Sequence, residues 1–194
     1  MRVERLGEAI EVIKGCWTDP RFKFSGEHYE VNLIESLPMP VQQPHPPLLI
    51  AGAGPRMMRL AGREADIVGI TVTYGHTSLD TFAAAVATSG DRIADQISWV
   101  REGAGDRFSA IELSVMINHL VAASDANAAV QTIADSNGAT KSQVLESPHM
   151  LFGSPQRMAE SLIERRERLG FSYVVFRGAH FEHVAPVVNQ LAGT

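Results

Sequence analysis

The sequence predicts an α/β protein, a parallel sheet with helices outside it, preceded by one helix and a short β-hairpin. Three observations carry this. Four times after residue 47 a short apolar run is followed by a helical pattern, and such alternation builds parallel sheets. Those runs are continuously apolar, as strands buried on both faces are. Five prolines within ten residues, Pro38 to Pro47, separate this part from what precedes it. Two architectures fit, a doubly wound sheet and a (β/α) barrel. A whole barrel has eight strands in roughly 250 residues, and this chain of 194 shows about half of that.

The elements follow in order. Val3, Leu6, Ile10, Ile13 and Trp17 alternate in spacings of three and four, which is one apolar helical face running from almost the first residue. A helix normally has a capping residue and a lead-in, so this start has the look of a chain entered midway. Phe22-Lys23-Phe24, Ser25-Gly26-Glu27 and His28-Tyr29-Glu30-Val31 alternate around a glycine turn and predict a hairpin. The prolines exclude helix and central strand from the next stretch, which is an extended connector.

Strands are expected at 48–51, 67–70, 111–118 and 171–176. Pro55 suits the first position of the helix after the first of them. Residues 71–90 read as a loop or lid with a possible helix at Thr81–Ala87. Asp91 can cap a helix carrying Ile93, Ile97 and Val100 on one face and ending near Gly103 and Gly105. Asp125 to Ala128 opens an Ala-rich helix through Ile133, and a less regular stretch runs to Phe152. Ser154 as cap and Pro155 just inside it start a helix lined by Met158, Leu162 and Leu169, which stops at Gly170. A last short helix holds Val184, Val187, Val188 and Leu191, with Pro186 near its start.

Composition narrows the function. Hydrophobic residues make up 45% and charged residues 20%, ordinary for a globular protein, and the length suits a single partial domain over 1–194. A net charge of -5 with no Lys/Arg run disfavours nucleic acid, whose phosphates need a clustered positive face. No apolar stretch approaches the ~18–20 residues of a membrane helix. The single Cys16 has no disulfide or metal partner of its own kind, so a reducing cytoplasm is expected.

The most informative stretch is Pro47-Leu-Leu-Ile-Ala-Gly-Ala-Gly-Pro-Arg56. A strand ends, two glycines let backbone come close to a ligand, and a helix N-terminus follows. Its N–H groups and dipole suit a phosphate, and Arg56 adds a formal charge. A plain tight turn at Gly52 and Gly54 explains the same residues. The dinucleotide fingerprint is not in place, because Asp66 comes too early. Gly153-Ser154-Pro155-Gln156-Arg157 is a weaker candidate of the same kind. Asn118, Thr71, Thr73 and Arg177 lie at the C-terminal ends of the expected strands, where barrel enzymes keep their active sites. Arg177 there can grip an anionic group bidentately. Of the histidines at 28, 45, 76, 119, 149, 180 and 183, only His180 and His183 are three apart, and no metal site is expected.

An ordered series of segments resembles the C-terminal portion of the luciferase-like monooxygenase family, closest to its coenzyme F-420 (deazaflavin) branch. The series is Arg2 to Ile13, Trp17, Phe24 to Tyr29, Pro38 to Gln42, Pro46 to Gly52, Arg59 to Asp66 and Gly153 to Pro155. The resemblance implies the C-terminal half of a TIM-like (β/α) barrel with a short hairpin insertion. It implies that Ala51, Gly52, Ala53, Gly54 and Arg56 hold coenzyme phosphate, either of F-420 or, alternatively, of FMN with oxygen chemistry. Asn118 and Arg177 are candidate contacts for a small-molecule substrate. The family's first four strands, which face the coenzyme ring and carry the usual proton donor, have no counterpart in this chain. Catalytic residues are therefore not named, and the chain alone is expected to be inactive, with weak or absent coenzyme binding. Self-association or a missing N-terminal half is expected, since an open half-barrel exposes strand edges. A non-catalytic half-barrel assembly module is the rival outside enzymes.

Overall fold

A computed structural model of the chain describes residues 2–32, 35–72, 81–122, 126–177 and 181–192. Helix α1 (Arg2–Thr18) leads into a hairpin of β1 (Lys23–Ser25) and β2 (Glu30–Asn32). Then come β3 (Leu49–Gly52), α2 (Pro55–Glu64), β4 (Ile67–Ile70), α3 (Thr81–Ala87), α4 (Asp91–Ala104) and a 3-10 turn at Gly105–Ala110. The remainder is β5 (Glu112–Ile117), β6 (His119–Val121), α5 (Ala126–Asn137), α6 (Lys141–Glu146), β7 (Met150–Phe152), α7 (Pro155–Leu169), β8 (Phe171–Phe176) and α8 (Phe181–Leu191).

The four strands expected to form the sheet do so side by side, in the order β3-β4-β5-β8, and every pairing is parallel. This is the α/β arrangement of a (β/α) barrel, seen here as four strands with β3 and β8 at the two ends of the sheet. Because all four point one way, the segments that follow Gly52, Ile70, Ile117 and Phe176 emerge at one end.

One face of the sheet, carrying Ile50, Val68, Ile70, Leu113, Val115 and Phe171, packs against α1, α2 and α4 through Ile10, Met58, Leu60, Ile93 and Val100. The opposite face alternates with it, and there Leu49, Met116 and Tyr173 stay 49%, 41% and 41% exposed. Helices α2 and α4 cross with backbones in contact. A Cβ on Gly62 would collide with the Val100 carbonyl oxygen, and one on Gly103 with that of Arg59. Arg107 closes the far end of α2, donating from Nη1 to Gly62 O at 2.6 Å and from Nη2 to Ala65 O at 2.8 Å. Beside it, Asp66 Oδ2 accepts from Leu48 N at 2.8 Å and so fixes the entry to β3.

Several local expectations need correction. The run 111–118 is not one strand: β5 ends at Ile117, and the chain continues as β6, which pairs in parallel with β7. The stretch thought irregular holds the end of α5, all of α6 and β7. Helix α6 starts on a reciprocal cap between Thr140 and Gln143. Gly90, not Asp91, occupies the position before α4, with a φ of 50° that disfavours a side chain. Gly103 lies inside α4, and Gly105 is its stop. Pro186 sits in the middle of α8 rather than near its start, because that helix begins at Phe181. The expected cap by Ser154 and the left-handed stop at Gly170 are both present. Asp125 lies outside the described residues.

Candidate functional site

At the C-terminal end of the sheet, β3 runs through Gly52, Ala53 and Gly54 into α2. The two glycines do different work. A Cβ on Gly52 would strike the Met57 side chain, so glycine is required there by packing. A Cβ on Gly54 would meet nothing within 4 Å among the described residues, so the space beside it is open to them. Gly54 is also the residue before α2, and having no side chain it offers that helix no cap. The first turn holds no acidic residue and Pro55 lacks an N–H, which leaves the Arg56 and Met57 N–H groups without intrahelical acceptors. A positive, uncapped helix end beside open space fits a phosphate.

The turn is tied to its neighbour. Thr71 N donates to Gly52 O at 3.1 Å, just past the end of β4. Gln96, buried on α4, donates from Nε2 to Ala53 O and to Thr71 O, each at 3.2 Å. Its Oε1 is buried and has no partner among the described residues. Arg56, expected to complete the cradle, has a side chain 69% exposed, with its Nη1 3.5 Å from Glu4 Oε1 of α1. Ala51 is exposed on the open face of the edge strand β3.

Asn118 and Arg177 directly follow Ile117 and Phe176, which are register partners in β5 and β8, so these two candidates emerge together. Asn118 is buried and its N–H donates to His149 O at 2.8 Å, while Arg177 is exposed. Thr73, His76 and His180 lie outside the described residues. The second glycine-led helix start, at α7, is already occupied: Ser154 Oγ accepts from Arg157 N at 3.3 Å, and the Arg157 side chain pairs with Glu160 at 3.0 Å.

Behind Asn118 lies a buried pair that the sequence reading missed. His149 is fully buried, and its Nδ1 donates to Met116 O at 3.0 Å, which leaves Nε2 as the acceptor. Burial, ahead of the nearby Arg165 charge, pushes its pKa down to about 4. Arg165 of α7 donates to Pro148 O at 3.0 Å and Met150 O at 2.8 Å, bracketing the histidine, and burial lowers its pKa to about 10. Arg165 could have been found from spacing, three residues after Leu162 and four before Leu169 on the buried stripe of α7. Gln96 shows the same signal between Ile93 and Val100. Nothing local marks His149.

Among the described residues one cluster brings metal-ligating atoms together, Glu8, Glu27 and His28, within 4.8 Å. Its chemistry is accounted for by the hairpin. The Glu8 carboxylate accepts the backbone N–H groups of Glu27, His28 and Tyr29 at 3.0, 2.8 and 3.2 Å, which holds its pKa below the usual value.

The profile of the luciferase-like monooxygenase family matches residues 1–146. An FMNH(2)-dependent dimethylsulfone monooxygenase of Pseudomonas putida is 35% identical over 65 residues, 34% of this chain and 18% of that protein. An F-420-dependent hydroxymycolic acid dehydrogenase of Mycobacterium tuberculosis is 37% identical over 68 residues, again 34% and 18%. Among solved structures, an F-420-dependent secondary alcohol dehydrogenase in complex with an F-420-acetone adduct superposes with a TM-score of 0.61 at 18% identity. The coenzyme F-420-dependent tetrahydromethanopterin reductase of Methanopyrus kandleri gives 0.64 at 14%. These two alignments cover 96% and 95% of this chain but 62% of each solved chain, so the likeness is one of fold and the chain spans about three fifths of those structures.

Proposed function

Since the chain belongs to the luciferase-like monooxygenase family, we propose that it is the part of a (β/α)-barrel oxidoreductase that holds the phosphate end of coenzyme F-420. Bound there, the coenzyme would be placed to exchange a hydride with an organic substrate at the same end of the sheet. The observation that carries this reading is the uncapped start of α2, with open space at Gly54, at the C-terminal end of the parallel sheet. Relatives named for F-420 dependence at 37% identity support the choice of coenzyme. FMN with oxygen is the second reading, favoured by the FMNH(2)-dependent relative at 35% identity. Both coenzymes carry a phosphate on a ribityl chain, so the cradle suits either.

When bound, the coenzyme ring supplies the redox chemistry. This chain supplies position and electrostatics. The amides after Ala53 would hold the phosphate. Asn118 and Arg177 stand beside the substrate, with Arg177 free to meet an anionic group because it is exposed. The residues that face the ring are expected elsewhere, on four further strand–helix units that close the barrel against β3 and β8. The isolated chain is therefore expected to turn over no substrate by itself. The single Cys16 fits a reaction carried out in a reducing cytoplasm.

The test is a titration of the isotope-labelled chain with F-420 or FMN, followed at single amides. Shifts at Ala53, Gly54 and Arg56 with a dissociation constant near the millimolar range are expected, a binding energy of roughly 4 kcal/mol. Amides that ignore both coenzymes would sink the reading. Coenzyme absorbance and fluorescence then rank F-420 against FMN.

A further inference from the structure

The structure points to Gln96 as a positioning residue for the phosphate-binding turn, a role that rests on the coenzyme reading above and extends it. Helix α4 buries Ile93, Gln96, Ile97 and Val100 along one stripe. A glutamine there is out of place chemically, since Leu or Met would fill the same volume without a polar group to desolvate. Its two Nε2 protons are nevertheless both used, on Ala53 O and Thr71 O at 3.2 Å. Turning the amide over would set Oε1 against two carbonyl oxygens, so the orientation is fixed by its partners. The cost is Oε1, buried without a donor. A protein that accepts such a loss is using the other end of the group.

What the two bonds accomplish follows from the peptide plane. In a trans peptide the C=O and the next N–H point in opposite directions. Drawing Ala53 O inward onto Gln96 turns the Gly54 N–H outward, beside the residue whose surroundings are open. Thr71 is held at both ends, its N–H on Gly52 O and its carbonyl on Gln96. The turn after β3 and the segment after β4 are thus locked to each other through one buried amide. No part of Gln96 reaches a ligand. It acts by holding the amide that does.

Gln96→Met keeps the length and removes both donors, and it is the informative variant. In the labelled protein, Gly54 amide shifts on FMN titration should weaken by about tenfold in apparent affinity, the worth of two net hydrogen bonds. Hydrogen exchange of the Thr71 amide should accelerate while that of Val100, on the same helix as Gln96, holds. A merely structural role would lower the melting temperature and leave affinity and the Thr71-to-Val100 contrast unchanged, and that result overturns the inference while the coenzyme reading stands. If neither FMN nor F-420 moves an amide of 53–57 even in the unaltered chain, the coenzyme reading falls and this inference goes with it. Should Gln96→Met fail to fold, through-hydrogen-bond couplings from the Gln96 side-chain nitrogen to the Ala53 and Thr71 carbonyls decide the matter in the unaltered chain. Their presence supports the lock and their absence removes it.

Discussion

A histidine buried without a carboxylate for company is kept neutral by the cost of desolvating its cation, and His149 is in that position. Its folded pKa of about 4 lies below the ordinary imidazole value of 6.5. Between those two values the unfolded chain binds the extra proton and the folded chain does not, so stability falls as pH drops through that window and levels off below it. The drop is on the order of 3 kcal/mol. His149→Asn keeps a donor near Met116 O and removes the titration. Urea unfolding at pH 7, 5.5 and 4.5 should then show a shallower decline for the variant, whereas parallel declines would mean that His149 does not titrate with a depressed pKa. Residues of this sort were unevenly legible in the sequence. Gln96 and Arg165 interrupt apolar stripes at helical spacing, and a polar residue on a buried stripe is a visible anomaly. His149 is placed by contacts more than 30 residues away in sequence, to Met116 O, and no spacing rule reaches that far.

At the scale of elements, four glycines allow contrasting predictions. Gly62→Ala and Gly103→Ala each drive a methyl into the backbone of the crossing helix. Overpacking of this kind costs about 1–3 kcal/mol, more than the gain in helix propensity of up to ~1 kcal/mol. Gly54→Ala meets no atom and needs no unusual φ. It should leave the melting temperature within a degree or two of the starting chain, yet weaken the coenzyme-induced shifts by covering the open space. Gly52→Ala, by contrast, collides with Met57 and should lose on both counts. Thermal melts and the amide titration together separate the three classes, and a Gly54→Ala chain that binds as before would show the space to be irrelevant. The hairpin adds a test of its own. Glu8 is held ionised chiefly by the His28 N–H, so its contribution is present above the unfolded carboxylate pKa and lost as pH falls through the lowered folded one. Glu8→Gln should speed exchange of the His28 and Tyr29 amides at neutral pH, and unchanged exchange would rule out Glu8 as the hairpin's anchor. The sheet strands, α2, α7 and the hairpin were readable because each carries its own local signal. Strand β7 was not, being three apolar residues whose pairing with β6 depends on the whole fold. Helix α6 was readable in principle, since Thr140 and Gln143 form a capping pair, but six residues leave little periodicity to confirm it.

The whole molecule is governed by the contrast between the two faces of its sheet. Ile50 and Met116 are both apolar strand residues, yet Ile50 is buried beneath helices and Met116 is 41% exposed on the other side. Among the described residues β3 and β8 end the sheet, and we propose that its second face and both edges are covered by further strand–helix units, or by self-association when nothing else covers them. Charge placed on the two faces should therefore act in opposite ways. Leu49→Lys with Met116→Glu should leave the unfolding midpoint nearly unchanged and shift sedimentation towards monomer, with less binding of an apolar dye. Ile50→Lys should unfold the chain, because an unpaired charge would enter the main core. Both arms are needed for the reading. If the Leu49 and Met116 changes proved as damaging as Ile50→Lys, the second face would already be packed within this chain, and there would be no open barrel wall for further strand–helix units to complete.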